Sequence, residues 1–288
     1  MQIALFSLLC LIWGSTWLVI KVGYGGLGPF NVAALRFVIA GALFVGLMPV
    51  VGARPPRGRT EWWLVVSVGL LLFAGDYGLI YWGEQSLASG LTAILFATLP
   101  LITLAAAHVY LPGERLTVRK AAGALLAFLG VVALFAERVQ VDARAIVPMG
   151  AIIAAAACAA VANVATKRHG AALHPASLNA GAMLVGAAVL AAWSLAAGDG
   201  FRLPAEQSTW LAIGYLSLVG SVVAFLIYFS LMKTWRASSL SFVGIFMPAI
   251  ALGLGAAVLG EPLTRWTVVG AALILVGVGL ALTRPRAR

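Results

Sequence analysis

Charge is what this 288-residue chain has least of. Asp, Glu, Lys and Arg make up 10% of it, where a soluble domain carries about 25%. Hydrophobic residues make up 62% and the mean hydropathy is +1.04. So few charges cannot cover a soluble fold of this size. That excludes a soluble enzyme, a nucleic-acid binder and a disordered chain, and leaves lipid as the solvent. Cysteine is nearly absent. Cys10 and Cys158 stand inside apolar runs, with neither CxxC spacing nor a neighbouring histidine. They read as small buried hydrophobes, not as a disulfide or metal site. No G-x-x-x-x-G-K-[ST] loop occurs, so ATP is not expected to drive the protein. Neither a metal nor a cofactor is expected. Acids are scarcer than bases, 9 against 19, for a net charge of +10. The bases fall between apolar runs and therefore report orientation, not a nucleic-acid partner.

What the sequence has in quantity is long apolar runs. Ten lie near 3–23, 29–50, 62–83, 88–110, 117–136, 147–167, 175–197, 209–232, 237–259 and 265–283. Each is close to the ~20 residues that a spanning helix needs. The first lacks a basic n-region and an A-x-A-like site, so it reads as a retained helix and not as a signal peptide. A spanning barrel would instead show alternating segments of ~10 residues. The expected fold is an all-α polytopic membrane protein with ten transmembrane helices. On the N-terminal side lie 13 bases: Arg54, Arg57 and Arg59; Arg115, Arg119 and Lys120; Lys167 and Arg168; Lys233 and Arg236; Arg284, Arg286 and Arg288. The other side holds 5, namely Lys21, Arg138, Arg144, Arg202 and Arg265. This bias predicts that both termini are cytoplasmic.

The chain also repeats itself. FATLPLITLAAAHVYLPGERLTVRKAAGALLAFLG aligns with GIFMPAIALGLGAAVLGEPLTRWTVVGAALILVG. Pro100 matches Pro248, Gly113-Glu114 matches Gly260-Glu261, and Leu116-Thr117 matches Leu263-Thr264. Earlier, Leu79 matches Leu226, Lys21 matches Lys167 and Pro29 matches Pro175, all at an offset of 146 to 148. The expected domains are a first five-helix repeat, 1–140, and a second, 141–288. An odd number of spans turns the second copy upside down, as in secondary transporters with a midplane site.

The segments LIWGSTWLVIK, AALRFVIAGAL, ATLPLITLAAAHVYLPGERLT and MPAIALGLGAAVLGEPLT resemble the EamA-type branch of the drug/metabolite transporter superfamily. The resemblance covers nearly the whole chain, and its most specific part is the paired proline-to-Gly-Glu segment. It implies ten spans, an internal duplication and small-molecule export, and it is nearest to bacterial inner-membrane exporters of aromatic and other amino acids.

Several residues are candidates to carry transport. Pro100 and Pro248 fall near the middle of their spans, where proline kinks a helix and frees carbonyls. They are read as cavity-lining or hinge residues, with Gly90 and Ser238-Ser239 as further hinges. Trp13 and Trp17 share a face of the first span, as do Tyr77 and Tyr81 on the third. Phe96 precedes Pro100 by one turn, and Tyr228 and Phe246 lie in the second repeat. Trp and Tyr also form interfacial belts. Trp62, Trp63, Trp210 and Trp266 fit that role at span ends. Trp13, Phe96 and Phe246 are too deep for it and are either core or pocket. Asn163 is a deep amide that needs a partner, helix backbone or substrate. Thr16, Thr92, Thr98 and Ser221 can simply bond their own helices. The Gly-Glu turns read as structural, with Thr117 and Thr264 as N-caps. Gly123 and Gly130, like Gly270 and Gly277, are seven apart and should let two helices pack closely.

Asp76 is read as the one acid well inside a span. Counting 1.5 Å per residue puts it about 21 Å above the start of its helix, level with Arg36 and near Lys21. A structural or gating ion pair of Asp76 with Arg36 or Lys21 is therefore predicted, rather than a proton site.

Together these readings describe a multi-pass protein of the bacterial inner membrane that exports small metabolites, amino acids among them, by alternating access. The expected partners are a small-molecule substrate and the lipid bilayer, with no nucleic acid and a monomeric state. An exporter of another small metabolite or drug is the alternative within the class. A membrane-embedded enzyme would need clustered His, Asp or Glu at depth, and a channel would need charged or carbonyl rings. Neither pattern is found in the sequence.

Overall fold

The computed structural model describes residues 2–87, 89–134, 143–250 and 264–282, all helix or connecting turn. Lipid offers backbone groups no partners, so each segment must satisfy its own. Helix α1 covers Gln2–Val22 and α2 covers Pro29–Val50. Helix α3 (Gly58–Val68) continues through a π-helical stretch, Gly69–Asp76, into α4 (Tyr77–Glu84). Then come α5 (Ser89–Phe96), α6 (Leu99–Tyr110), α7 (Val118–Leu134), α8 (Ile146–His169) and α9 (Pro175–Ala196). Helix α10 (Gln207–Ser217) passes through a second π-helical stretch, Leu218–Val223, into α11 (Ala224–Thr234). A short α12 (Ala237–Leu240), α13 over 243–250 and α14 (Arg265–Leu282) follow.

Among the described residues, seven helices are long and apolar enough to cross a membrane. Two shorter apolar helices, Ala237–Ile250 and Val268–Leu282, join them. The fifth run is helical over Val118–Leu134. The ninth passes beyond Ile250 into residues outside those described, as do Gly260 and Glu261 of the second Gly-Glu turn. Leu11, Leu18, Leu43, Leu211 and Leu275 face outward, whereas Arg36, Asp76 and Glu84 are buried. That arrangement suits an apolar solvent.

The strongest helix pairings join members of the two repeats: α2 packs along α9, and α7 along α14. Glycine makes the second possible. A Cβ on Gly123 would lie 2.6 Å from the Gly277 carbonyl oxygen, and one on Gly277 would lie 2.4 Å from the Ala127 nitrogen. Gly130 is equally close to Gly270, at 2.8 Å from its carbonyl oxygen. Without a hydrophobic drive between helices, such backbone proximity is what binds them.

The π-helical stretches were not legible in the sequence. They end at Asp76 and Val223, which share the 147-residue offset of Leu79 and Leu226. Such stretches recur at functional sites because they re-aim side chains and loosen the ladder. The prolines act differently from expectation. The fourth run is broken outright at residues 97–98, and Pro100 is the second residue of α6, where its missing N–H costs nothing. Pro248 does lie inside helix, within 243–250.

Candidate substrate cavity

A cavity opens between the two halves of the chain. Its walls come from α1, the first π stretch and α4, α5, α6, α8, α11 and α13. About 50 Å³ of it is open to the centre of a water-sized molecule, enough for a head group and a few waters. Trp13, Trp17, Tyr77, Phe96, Asn163 and Tyr228, all singled out from the sequence, line it. So do Asp76, Phe225 and Met247.

The aromatic residues hold one another in place. Trp13 lies 5.2 Å from Phe225 and 5.1 Å from Tyr228, centroid to centroid, and its Nε1 donates to the Gly220 carbonyl at 3.2 Å. Trp17 meets Phe96 edge-on at 5.7 Å. Tyr77 meets Phe37 at 4.9 Å. These offset geometries are the preferred ones for rings. Rings from both halves of the sequence therefore border the same space.

Four expected cavity residues lie elsewhere. Tyr81 is fully buried beside the cavity and not in its lining. Its hydroxyl accepts from Arg36 Nη1 at 3.3 Å, and its carbonyl accepts from the Tyr24 hydroxyl at 2.8 Å. Phe246 turns toward Phe6, at 5.9 Å, because the α13 face that lines the cavity is that of Val243 and Met247. Pro100 and Pro248 are also absent from the lining. Of the expected hinges, Gly90 is the second residue of α5. Ser238 is instead clamped: Glu114 accepts from the backbone N–H of Ala237 at 2.8 Å, from that of Ser238 at 3.1 Å, and from the Ser238 hydroxyl. The first Gly-Glu turn thus caps the start of α12 across the two halves. Thr117 likewise accepts from the Lys120 N–H, at 3.3 Å, at the start of α7.

The expected ion pair is corrected. Among the described residues no Lys or Arg nitrogen lies within 4.0 Å of Asp76, and the ion pair found is Arg54 with Glu61, at 2.6 Å. Arg36, fully buried, donates to Ser221 Oγ at 2.9 Å, to Tyr81 and to the Gly220 carbonyl at 3.1 Å. Its guanidinium also lies over the Tyr77 ring, 4.8 Å from the centroid. The second π stretch gives Arg36 its acceptors in place of Asp76. Arg36 still acts on Asp76 through space. Lys21 is exposed and acts instead on Glu84.

Glu84 is the acid that the sequence reading missed. It is fully buried, and both its carboxylate oxygens lack a hydrogen-bond partner. It sits at the edge of its apolar run, where a one-residue shift of boundary decides whether an acid counts as loop or span. Three lining residues also carry buried unpartnered atoms: Asp76 Oδ1, Asn163 Oδ1 and Trp17 Nε1. Among the described residues no group of three His, Cys, Asp or Glu could hold a metal.

Known proteins give this architecture a family. The EamA-like transporter family matches residues 1–136 and 147–283. "Uncharacterized inner membrane transporter YedA" of Escherichia coli (strain K12) is 30% identical, over 96% of this chain and 90% of that one. "Probable amino-acid metabolite efflux pump" of Salmonella typhimurium is 27% identical, over 94% and 91%. A protein of known crystal structure shares the fold, with a TM-score of 0.82 at 23% identity, covering 97% of this chain and 95% of that one. A multi-pass helical body with an internal cavity, matched by one family across nearly its whole length, is an integral membrane transporter. The chain belongs to the EamA-like transporter family of the drug/metabolite transporter superfamily.

Proposed function

We propose that this transporter exports amino acids, aromatic ones included, by alternating access of two inverted five-helix halves, driven by gradients. The observation that carries the reading is the cavity. The rings of Trp13, Trp17, Tyr77, Phe96, Phe225 and Tyr228 line a space whose lining residues also carry unpartnered polar atoms. Flat apolar bodies stack on such walls, and polar ends need such atoms. The efflux-pump name of the Salmonella relative points the same way. The pairings of α2 with α9 and of α7 with α14 join equivalent members of the sequence repeat, as a pseudo-two-fold arrangement requires. In this reading there are ten spans and both termini are cytoplasmic. The Glu114 clamp on α12 then ties the halves together on the cytoplasmic side, while the π stretches and the 97–98 break supply the bending points.

The test uses cells that produce the protein, with amino acids accumulated inside by feeding dipeptides. Release of aromatic amino acids should rise above the control and fall again with Trp17→Ala. If no amino acid leaves faster while other metabolites do, the cargo assignment is wrong.

A further inference from the structure

We propose that Asp76 anchors the ammonium group of the ligand, so that the cavity selects amines with a flat apolar body and does not require their carboxylate. The proposal rests on the transport reading of this cavity. Three atoms carry it. Asp76 Oδ1 and Asn163 Oδ1 can only accept, whereas Trp17 Nε1 can only donate. Their side chains are 3%, 3% and 5% exposed, all three line the cavity, and none of the three atoms has a hydrogen-bond partner.

A buried polar atom left unpaired is unfavourable. A ligand that enters as the walls part can supply the missing partners. Two acceptors on residues of one lining, one of them a carboxylate, call for a cationic donor with several N–H groups, and charge-assisted hydrogen bonds are the strong ones. Arg36 cannot be that donor while it serves Tyr81, Gly220 and Ser221. Its hydrogen bonds go to those three groups, and Asp76 Oδ1 stays unpartnered. The rings of Trp13, Tyr77 and Tyr228 add cation–π attraction for the same head group.

The lining holds one acid and no Lys or Arg. A ligand carboxylate would find there hydroxyl, amide and indole donors but no countercharge. The amine should therefore dominate recognition. The roughly 50 Å³ of open space fits the ammonium head, and the walls must part to admit the body.

The experiment measures equilibrium binding of tryptamine, tryptophan and indole-3-propionate to the full-length protein in lipid nanodiscs, at neutral pH with no gradient. The wild type should bind tryptamine and tryptophan, and bind indole-3-propionate at least about tenfold more weakly. Asp76→Asn should weaken both amines by about ten- to a hundredfold and leave indole-3-propionate no weaker. Equal binding of tryptamine and indole-3-propionate by the wild type would overturn the proposal. So would an equal loss of both in Asp76→Asn, or no binding of any amine. Should Asp76→Asn fail to fold, the wild-type series still decides. Tryptamine held through Asp76 while no amino acid crosses the membrane would refute amino-acid export and keep the anchor. Amino-acid export undiminished by Asp76→Asn would do the reverse.

Discussion

Replacing Arg36 with methionine removes the charge that ties the second span to the second π stretch and leaves a shorter, unbranched apolar side chain. Three hydrogen bonds go, to Ser221 Oγ at 2.9 Å, to the Gly220 carbonyl at 3.1 Å and to the Tyr81 hydroxyl at 3.3 Å. Neutral interhelical bonds in membrane proteins average about 0.6 kcal/mol, and charge-assisted ones are roughly twice as strong. The three together then contribute about 3.5 kcal/mol. The cation–π contacts with Phe37 and Tyr77, at 5.2 and 4.8 Å, add about 1 kcal/mol in a desolvated site. Gly220 keeps its bond from Trp13 Nε1, which limits the damage. Asp76 also loses the guanidinium that acts on it, and the total lies within the 3–5 kcal/mol expected for breaking such an arrangement. In a chain of this size that corresponds to a fall in Tm of about 6–20 °C, measured by thermal unfolding of the protein in detergent. Because part of the cost belongs to Asp76, the double variant Arg36→Met/Asp76→Asn should recover about 1 kcal/mol relative to additivity. A single-variant Tm within about 2 °C of the wild type would refute Arg36 as the hub of this packing, and strict additivity would refute the electrostatic support of Asp76.

Further outcomes follow from individual contacts. Gly277→Ala places a Cβ 2.4 Å from the Ala127 nitrogen and should cost about 1–3 kcal/mol by forcing α7 from α14. Gly46→Ala, with nothing within 4 Å, should stay within about 0.5 kcal/mol, so equal melting of the two would contradict the close-packing argument. Glu114→Ala strips the cap from α12 and should lower stability by about 1–2 kcal/mol, visible as faster proteolysis near Ala237; unchanged proteolysis would show that the clamp is idle. Tyr81→Phe should lower Tm slightly and leave transport intact, since Tyr81 serves Arg36 and lies outside the lining, whereas Trp17→Ala should cut transport at normal expression. A reporter fused after Arg288 should be active only in the cytoplasm, and periplasmic activity would reverse the orientation.

The helices were legible because lipid demands continuous apolar length, and that demand is written locally. The Gly123 and Gly277 approach was legible too, since a seven-residue spacing of glycine has few other uses in a spanning helix. The partners of buried polar groups were not. Arg36 reaches Ser221, 185 positions away, and which acceptor wins depends on a π-helical stretch that GLLLFAGD and LVGSVV do not announce. Pro100 was visible, but not that the chain would break before it and leave the proline harmless in a new first turn. Phe246 and Met247 differ by one position on α13, and only the packing decides which of them faces the cavity.

The most direct test of alternating-access transport is counterflow. Liposomes containing the purified protein are loaded with unlabelled tryptophan and diluted into a trace of labelled tryptophan, with no ion gradient. A carrier whose cavity opens to one side at a time exchanges inner for outer substrate, so the label should accumulate transiently above its equilibrium level and then decay. Trp17→Ala should abolish that overshoot. A simple rise to equilibrium that never exceeds it, unaffected by the internal load, would contradict alternating access and point to a passive pore.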